Sequence, residues 1–310
     1  MNPQVSIVMP CFNGEYHLHR SVESVLAQTM GNFDLIVVDN GSTDRSLDVL
    51  DSFSDPRIRV RHQPQRGVSL ARNLGLQEAH ASLVAFLDCD DTWSPDFLEK
   101  MCAGLTDRPE AVLAYCGWQN LGLSGGRGEP FVPPDYETHE KYAVLLEGCR
   151  WPIHGALTRR DALLKAGGFN TQLTIAEDYL LWLECSAQGA LVRVPEVLAQ
   201  YHHHGGEQAT QNRALAAIDT FRAKQFFLRG HPDVAGKLGE SLIEQITWGK
   251  LLEAGNTLHW QGDIQNARPV FRKALLAGKG TIDDKLRMLP SLLPLSIHRA
   301  LFNAKNRIVS

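Results

Sequence analysis

The chain has 310 residues, with 31 Lys and Arg against 35 Asp and Glu, and a formal net charge of −4. At about 150 residues per domain this length suggests two domains, and such a chain buries roughly 75% of its unfolded surface without a disulfide or metal staple. Its 44% hydrophobic and 21% charged residues exclude a disordered protein, and the missing basic excess excludes nucleic acid as a partner.

The apolar run at residues 5–9 predicts a buried strand. Residues 16–28 carry Leu18, Val22, Val25 and Leu26 at helical intervals. Further strands are expected at 35–38, 58–60 and 83–87, alternating with helices at 46–53 and 69–79. Ser94 then reads as a helix N-cap with Pro95 in the first turn. This alternation predicts an α/β fold, a mostly parallel sheet flanked by helices, with ligands beyond the carboxyl ends of the strands.

Three loops at those ends hold the chemistry: Pro10-Cys11-Phe12-Asn13-Gly14-Glu15, Asp39-Asn40-Gly41-Ser42-Thr43-Asp44 and Asp88-Cys89-Asp90-Asp91. Neither a Gly-x-Gly-x-x-Gly fingerprint nor a Walker loop is present, which argues against a dinucleotide-dependent dehydrogenase. Three carboxylates in four residues repel one another unless a cation or donors compensate them. Mn²⁺ or Mg²⁺, which take one or two carboxylates plus substrate phosphates, is one compensation. An ordinary acidic turn ahead of a helix is the other.

Residues 118–150 read as a turn-rich connector. A helix is expected from Ala176, with Tyr179, Leu180, Leu183 and Ala187 on its buried face. Glu177 and Asp178 fall in its first turn, where the helix dipole favours carboxylates. Thr174-x-x-Glu177 has the form of a capping box, which gives Glu177 a local task and leaves Asp178 without one. Tyr179 and Trp182 are expected to pack. After a strand-like stretch at 195–199 comes Tyr201-His202-His203-His204. Three successive histidines cannot face one way on an extended chain, so a three-His metal site is not expected.

From Gln208 the pattern is helical, with breaks expected near 230 and at Gly255-Asn256. Gly255, Gly262, Ala267, Phe271 and Ala274 fit one tetratricopeptide-like hairpin. Residues 279–310 hold six Lys or Arg and two Asp among Leu286, Met288, Leu292, Leu293, Leu295, Ile297, Leu301 and Phe302. That tail therefore carries 6 − 2 = +4 and residues 1–278 carry −8. A basic, apolar tail suits an anionic bilayer surface; a terminal helix packed on the protein is the alternative. Residues 288–298 are uncharged, but Pro290 and Pro294 break them and they are too short to span a bilayer.

The six cysteines form no Cys-x-x-Cys pair, so reduced thiols and a cytoplasmic setting are expected. Met1 leads within four residues into the first apolar run, without the basic and apolar regions of a signal peptide.

Four ordered motifs, Val5–Asn13, Ile36–Asp44, Arg66–Gly75 and Phe86–Asp91, together resemble the family 2 glycosyltransferases of the GT-A fold over about residues 1–205. The resemblance implies a metal-dependent, inverting transfer of a hexose-like sugar from a nucleotide-sugar donor to a hydroxyl acceptor, commonly in polysaccharide or lipid-linked glycan synthesis. It places Pro10, Phe12, Glu15, Asp39, Asn40, Arg72 and Asp88 around the nucleotide, and Asp90, Asp91 and His204 at the metal. Asp178 of the Glu-Asp signature becomes the general base. Many members have two acidic residues where this chain has Asp39-Asn40; the Asn carbonyl can still accept from a uracil N–H, which keeps a uridine-linked donor the expectation, while its amide donor leaves thymidine or another base open.

The implied organisation is a transferase domain at 1–206 (nucleotide half 1–105, acceptor half 106–206), a helical appendage at 207–278, and the tail at 279–310. The tail makes a peripheral position at the inner face of a membrane an expectation. A nucleotidyltransferase acting on sugar phosphates, or an inactive interaction protein, are the alternatives.

Overall fold

Val5–Cys11 is buried at every position and forms β1, the strand around which the first sheet layers build. The computed structural model describes residues 3–123, 125–204 and 212–309, with side chains to Asn303. The expected boundary at 206/207, the helical start at Gln208, and the Lys305 and Arg307 side chains fall outside what is described.

Parallel neighbours of β1 are β2 (Phe33–Asp39) and β4 (Leu83–Phe86), and β2 pairs parallel with β3 (Ile58–His62). Between them run α1 (Leu18–Leu26), α2 (Ser46–Asp51) and α3 (Val68–Glu78). Helix α3 lies directly on β1, because a Cβ at Gly75 would stand 2.2 Å from Val8 Cγ1. β5 (Thr92–Trp93), α4 (Phe97–Asp107), β6 (Ala111–Leu121), a 3-10 turn at Gly125–Arg127 and α5 (Lys141–Glu147) follow. A second 3-10 turn at Ile153–Gly155 leads to β7 (Ala156–Arg159), α6 (Arg160–Lys165), α7 (Glu177–Ser186) and β8 (Ala190–His202).

The eight strands make one sheet in the order β3-β2-β1-β4-β7-β6-β8-β5. It is more mixed than the sequence suggested. β7 runs antiparallel to β4 and β6, β5 antiparallel to β8, while β6 and β8 are parallel. The connector at 118–150 is also more ordered than expected, holding the end of β6 and all of α5. Ser94 does not cap α4. Its amide donates to the Leu198 carbonyl (2.9 Å) and its hydroxyl accepts from Gln200 (3.1 Å), so it belongs to the β5–β8 edge and Asp96 takes the N-cap position.

The chain divides into two compact units, Met1–Leu145 with Cys149–Gly206, and Leu146–Gly148 with Glu207–Ser310. The second unit contains α8 (Arg213–Gly230), α9 (Pro232–Leu238), α10 (Glu240–Glu244) and a π-helical turn at Gln245–Gly249. It continues through α11 (Lys250–Trp260), α12 (Ile264–Leu276), α13 (Ile282–Met288), a 3-10 turn at Leu289–Leu292 and α14 (Leu295–Val309). Gly255-Asn256 is no break; it lies inside α11. A Cβ on Gly255 would stand 2.8 Å from the Phe271 ring, so the glycine permits the close α11–α12 approach. Within this unit the tail has two faces. Met288 and His298 are buried, and Arg268 donates to the Ser291 and Leu293 carbonyls (3.0 and 2.8 Å). Ile282, Leu286, Leu289, Leu293, Ile297 and Leu301 are exposed.

Candidate active site

Every residue singled out from the sequence sits at the carboxyl end of β1, β2 or β4, at the end of β8, or on α3 and α7. Pro10 is buried near the end of β1 and carries no N–H. The β1–β4 ladder stops just before it, at Val8↔Phe86, after which the 88–91 loop leaves the sheet.

The first two loops are stitched together. Asn13, in a left-handed conformation (φ 50°), accepts from the Thr43 amide (2.8 Å), and the Gly14 amide donates to the Ser46 hydroxyl (2.8 Å). Asp39 is buried and accepts from the Ser42 amide (3.0 Å); Asn40 accepts from the Gly67 amide through its carbonyl (2.9 Å). The Arg66 guanidinium lies 3.7 Å from the centre of the Phe12 ring, forming a flat apolar and cationic wall suited to a base. Glu15 is paired with Arg45 (Nε to Oε1, 2.7 Å).

Arg72 does something the sequence did not disclose. Only 4% exposed, it donates to Asp88 (2.6 Å) and to Glu177 (2.6 Å). Its guanidinium is thus engaged by two carboxylates rather than left open to a phosphate. It ties the β4 loop to the start of α7. The capping box is likewise corrected. Helix α7 begins at Glu177 itself, with Ala176 at the N-cap in a left-handed conformation (φ 64°) and no side-chain cap. A non-glycine residue there stores about 1 kcal/mol of strain, which the Arg72–Glu177 pair helps to hold. Asp178, next in the chain, accepts from the Tyr179 amide (2.7 Å). Tyr179 and Trp182 are buried and pack.

Burial pushes the Asp178 carboxyl up, against the pull of Arg72 and with Asp88 adding to the rise. Glu177 is pushed up to about 7, first by burial and then by the Asp178 charge, again against Arg72. A carboxyl raised in the folded state contributes stability that is full below its ordinary value of 4.5 and is lost as pH rises through about 7. Thermal melts from pH 5 to 8 should therefore fall more steeply with pH for the native chain than for Glu177→Gln. Parallel curves would contradict the shift.

The acidic motif divides between two environments. Asp91 is 1% exposed and His154 fully buried, with 2.9 Å between Oδ2 and Nδ1. The other Asp91 oxygen accepts from the His202 amide (2.8 Å). Burial opposes the charge on His154, but Asp91 outweighs it and raises the imidazole. Asp91, expected at the metal, is here buried against His154, with its Oδ1 held by the His202 amide.

Asp90 faces outward, with its carboxylate 2.9 Å from His204 Nε2 and side-chain exposures of 30% and 23%. His17 stacks on His204 (4.5 Å). The three histidines diverge, His202 to the Thr92 hydroxyl (2.9 Å), His203 onto Tyr201, and His204 to Asp90. Among the described residues no three His, Cys, Asp or Glu side chains converge on a metal position. Asp90 and His204 still offer an oxygen and a nitrogen donor at one open edge. That set fits a Mn²⁺ or Mg²⁺ whose remaining positions come from substrate phosphates and water. Sequence reasoning missed the Arg72–Glu177 and Asp91–His154 pairs because each joins residues far apart in the chain and has no local spacing signal.

This sheet, with acidic loops at the carboxyl ends of its central strands, is the architecture of the GT-A nucleotide-diphospho-sugar transferases. Residues 6–163 match the model of glycosyl transferase family 2, and the chain belongs to that family: it is a glycosyltransferase. It is 30% identical over 230 residues to an uncharacterized glycosyltransferase of Haemophilus influenzae, covering 71% of this chain and 86% of that one. It is 33% identical over 180 residues to the Escherichia coli UDP-Glc:alpha-D-GlcNAc-diphosphoundecaprenol beta-1,3-glucosyltransferase WfgD, covering 58% and 68%. The mannosyltransferase PcManGT of Pyrobaculum calidifontis, solved with GDP-Man and Mn²⁺, shares the fold with a TM-score of 0.59 at 17% identity, covering 99% of this chain and 87% of that one.

Proposed function

We propose that the chain transfers a sugar, with inversion, from a uridine-linked nucleotide donor to a hydroxyl of a lipid-linked or surface glycan, with Asp178 as general base. The observation that carries this reading is the division of the carboxylates. Asp88 and Glu177 share the one Arg72 guanidinium, Asp91 lies against His154, and Asp90 faces outward beside His204. Among the described residues no ion pair engages Asp178 at contact distance. Its task is to accept the acceptor hydroxyl proton as that oxygen attacks the anomeric carbon and the bond to the diphosphate breaks. A cation held by Asp90 and His204 would supply charge for the leaving diphosphate. Phe12 and Arg66 would hold the base, with Asp39 and Asn40 toward base and ribose. The UDP-Glc donor and diphosphoundecaprenol acceptor in WfgD's name support the uridine and lipid-linked assignments.

Thermal shift against UDP-, GDP- and dTDP-sugars tests the donor site. A UDP compound should raise Tm only with Mn²⁺, and Asp90→Asn should weaken that binding at least tenfold. An equal shift without metal, or a preference for GDP, would contradict the assignment.

No helix among the described residues is long and apolar enough to cross a membrane. The exposed leucines and isoleucines of α13 and α14, beside Lys279, Lys285 and Arg299, instead suit peripheral contact with an anionic bilayer. Co-sedimentation with anionic phospholipid vesicles should drop severalfold for Leu286→Glu/Ile297→Glu, both exposed positions. Unchanged binding would remove the tail as the contact.

A further inference from the structure

We propose that Cys11 and Cys89 are an oxidation site built into the donor loops, a dithiol that closes to a disulfide and weakens nucleotide binding. Cys11 is the last residue of β1, and Cys89 lies in the loop that follows β4 at the same end of the sheet. Both pack with the same core face as Val5, Ile7 and Met9 of β1 and Leu83, Ala85 and Leu87 of the neighbouring segment.

Gly14 shows how close the sulfurs are. A Cβ added there would stand 3.0 Å from Cys89 Sγ and 3.2 Å from Cys11 Sγ, so both thiols border one small space that the glycine keeps open. Both are free thiols, and Cys89 is partly exposed, which gives an oxidant a way in. With a hydroperoxide as oxidant, two S–H bonds are lost and one S–S bond forms. The two electrons and two protons reduce the peroxide O–O bond to an alcohol and water.

Closure acts where the donor is held. Cys89 lies between Asp88, which pairs with Arg72, and Asp90, which pairs with His204. The loop is pinned by the Ser21 hydroxyl on the Cys89 carbonyl (2.8 Å) and by Arg20 on the Asp90 carbonyl (2.9 Å). Drawing the sulfurs to about 2.05 Å moves the 88–91 loop and the Phe12 loop toward each other. The expected loss of nucleotide affinity rests on the donor-site reading above; formation of the bond does not.

The full-length protein would be treated with hydrogen peroxide, its remaining thiols blocked by N-ethylmaleimide, and its peptides mapped by mass spectrometry. UDP binding with Mn²⁺ would be measured before and after treatment. A Cys11–Cys89 peptide should be the dominant disulfide, with UDP affinity at least tenfold lower and both changes reversed by dithiothreitol. In Cys89→Ala, affinity relative to that variant's own untreated value should no longer respond to peroxide. If Cys11 and Cys89 stay alkylated as in untreated protein, or if the bond forms and affinity is unchanged, the proposal is overturned. Absence of UDP binding before oxidation would count against the donor reading instead, while the peptide map still decides whether the thiols pair.

Discussion

Asp178→Asn is expected to fold, to bind the nucleotide sugar within about twofold of the native affinity, and to lose transfer by roughly 10²–10⁴ in kcat. The amide keeps the shape of the carboxylate and still accepts from the Tyr179 amide, so the start of α7 is preserved. What it loses is the ability to take a proton. The raised Asp178 carboxyl matches that task, since a base works best when its pKa approaches the working pH. Initial rates and donor titrations separate the two parts of the claim. A variant that transfers within tenfold of native would remove Asp178 as the base, and one that loses donor affinity alone would make it a binding residue.

The second large effect is on stability. His154→Ala should lower it by about 3–5 kcal/mol, because removing one partner of a buried ion pair leaves the other charge uncompensated. For a unit of this size that corresponds to a fall in Tm of roughly 6–20 °C. Asp91 is enclosed, so water cannot replace the imidazole without opening the β5–β8 edge that Trp93 closes by donating to the His154 carbonyl (2.7 Å). Adding Asp91→Asn to His154→Ala should restore part of the loss, since the stranded charge is then gone. A His154→Ala protein with native Tm and no metal-dependent nucleotide binding would instead favour Asp91 as a metal ligand.

These outcomes bear on how much the sequence disclosed. The βα alternation of the first hundred residues was legible because buried parallel strands are short apolar runs separated by amphipathic helices. The β7 and β5 pairings were not, because strand direction is set by partners distant in sequence. The acidic loops were visible as motifs, and their placement at strand ends follows from the fold class. The division of labour among carboxylates was hidden. Asp88, Asp90 and Asp91 look equivalent in a line of text, yet Arg72, His204 and His154 give each a different environment. Glu177 fitted a capping box by spacing alone, and only the left-handed Ala176 and the contact with Arg72 show otherwise. The tail was read as either packed or membrane-facing; its inner face packs, and its outer face is apolar.

The central claim is a single displacement at the anomeric carbon with Asp178 taking the proton. It is tested most directly by proton NMR of the glycoside formed when an α-linked nucleotide sugar is transferred to a hydroxyl acceptor. The new linkage should be β, and Asp178→Asn should yield almost none of it. An α-linked product, or equal β-linked product from the variant, would contradict it.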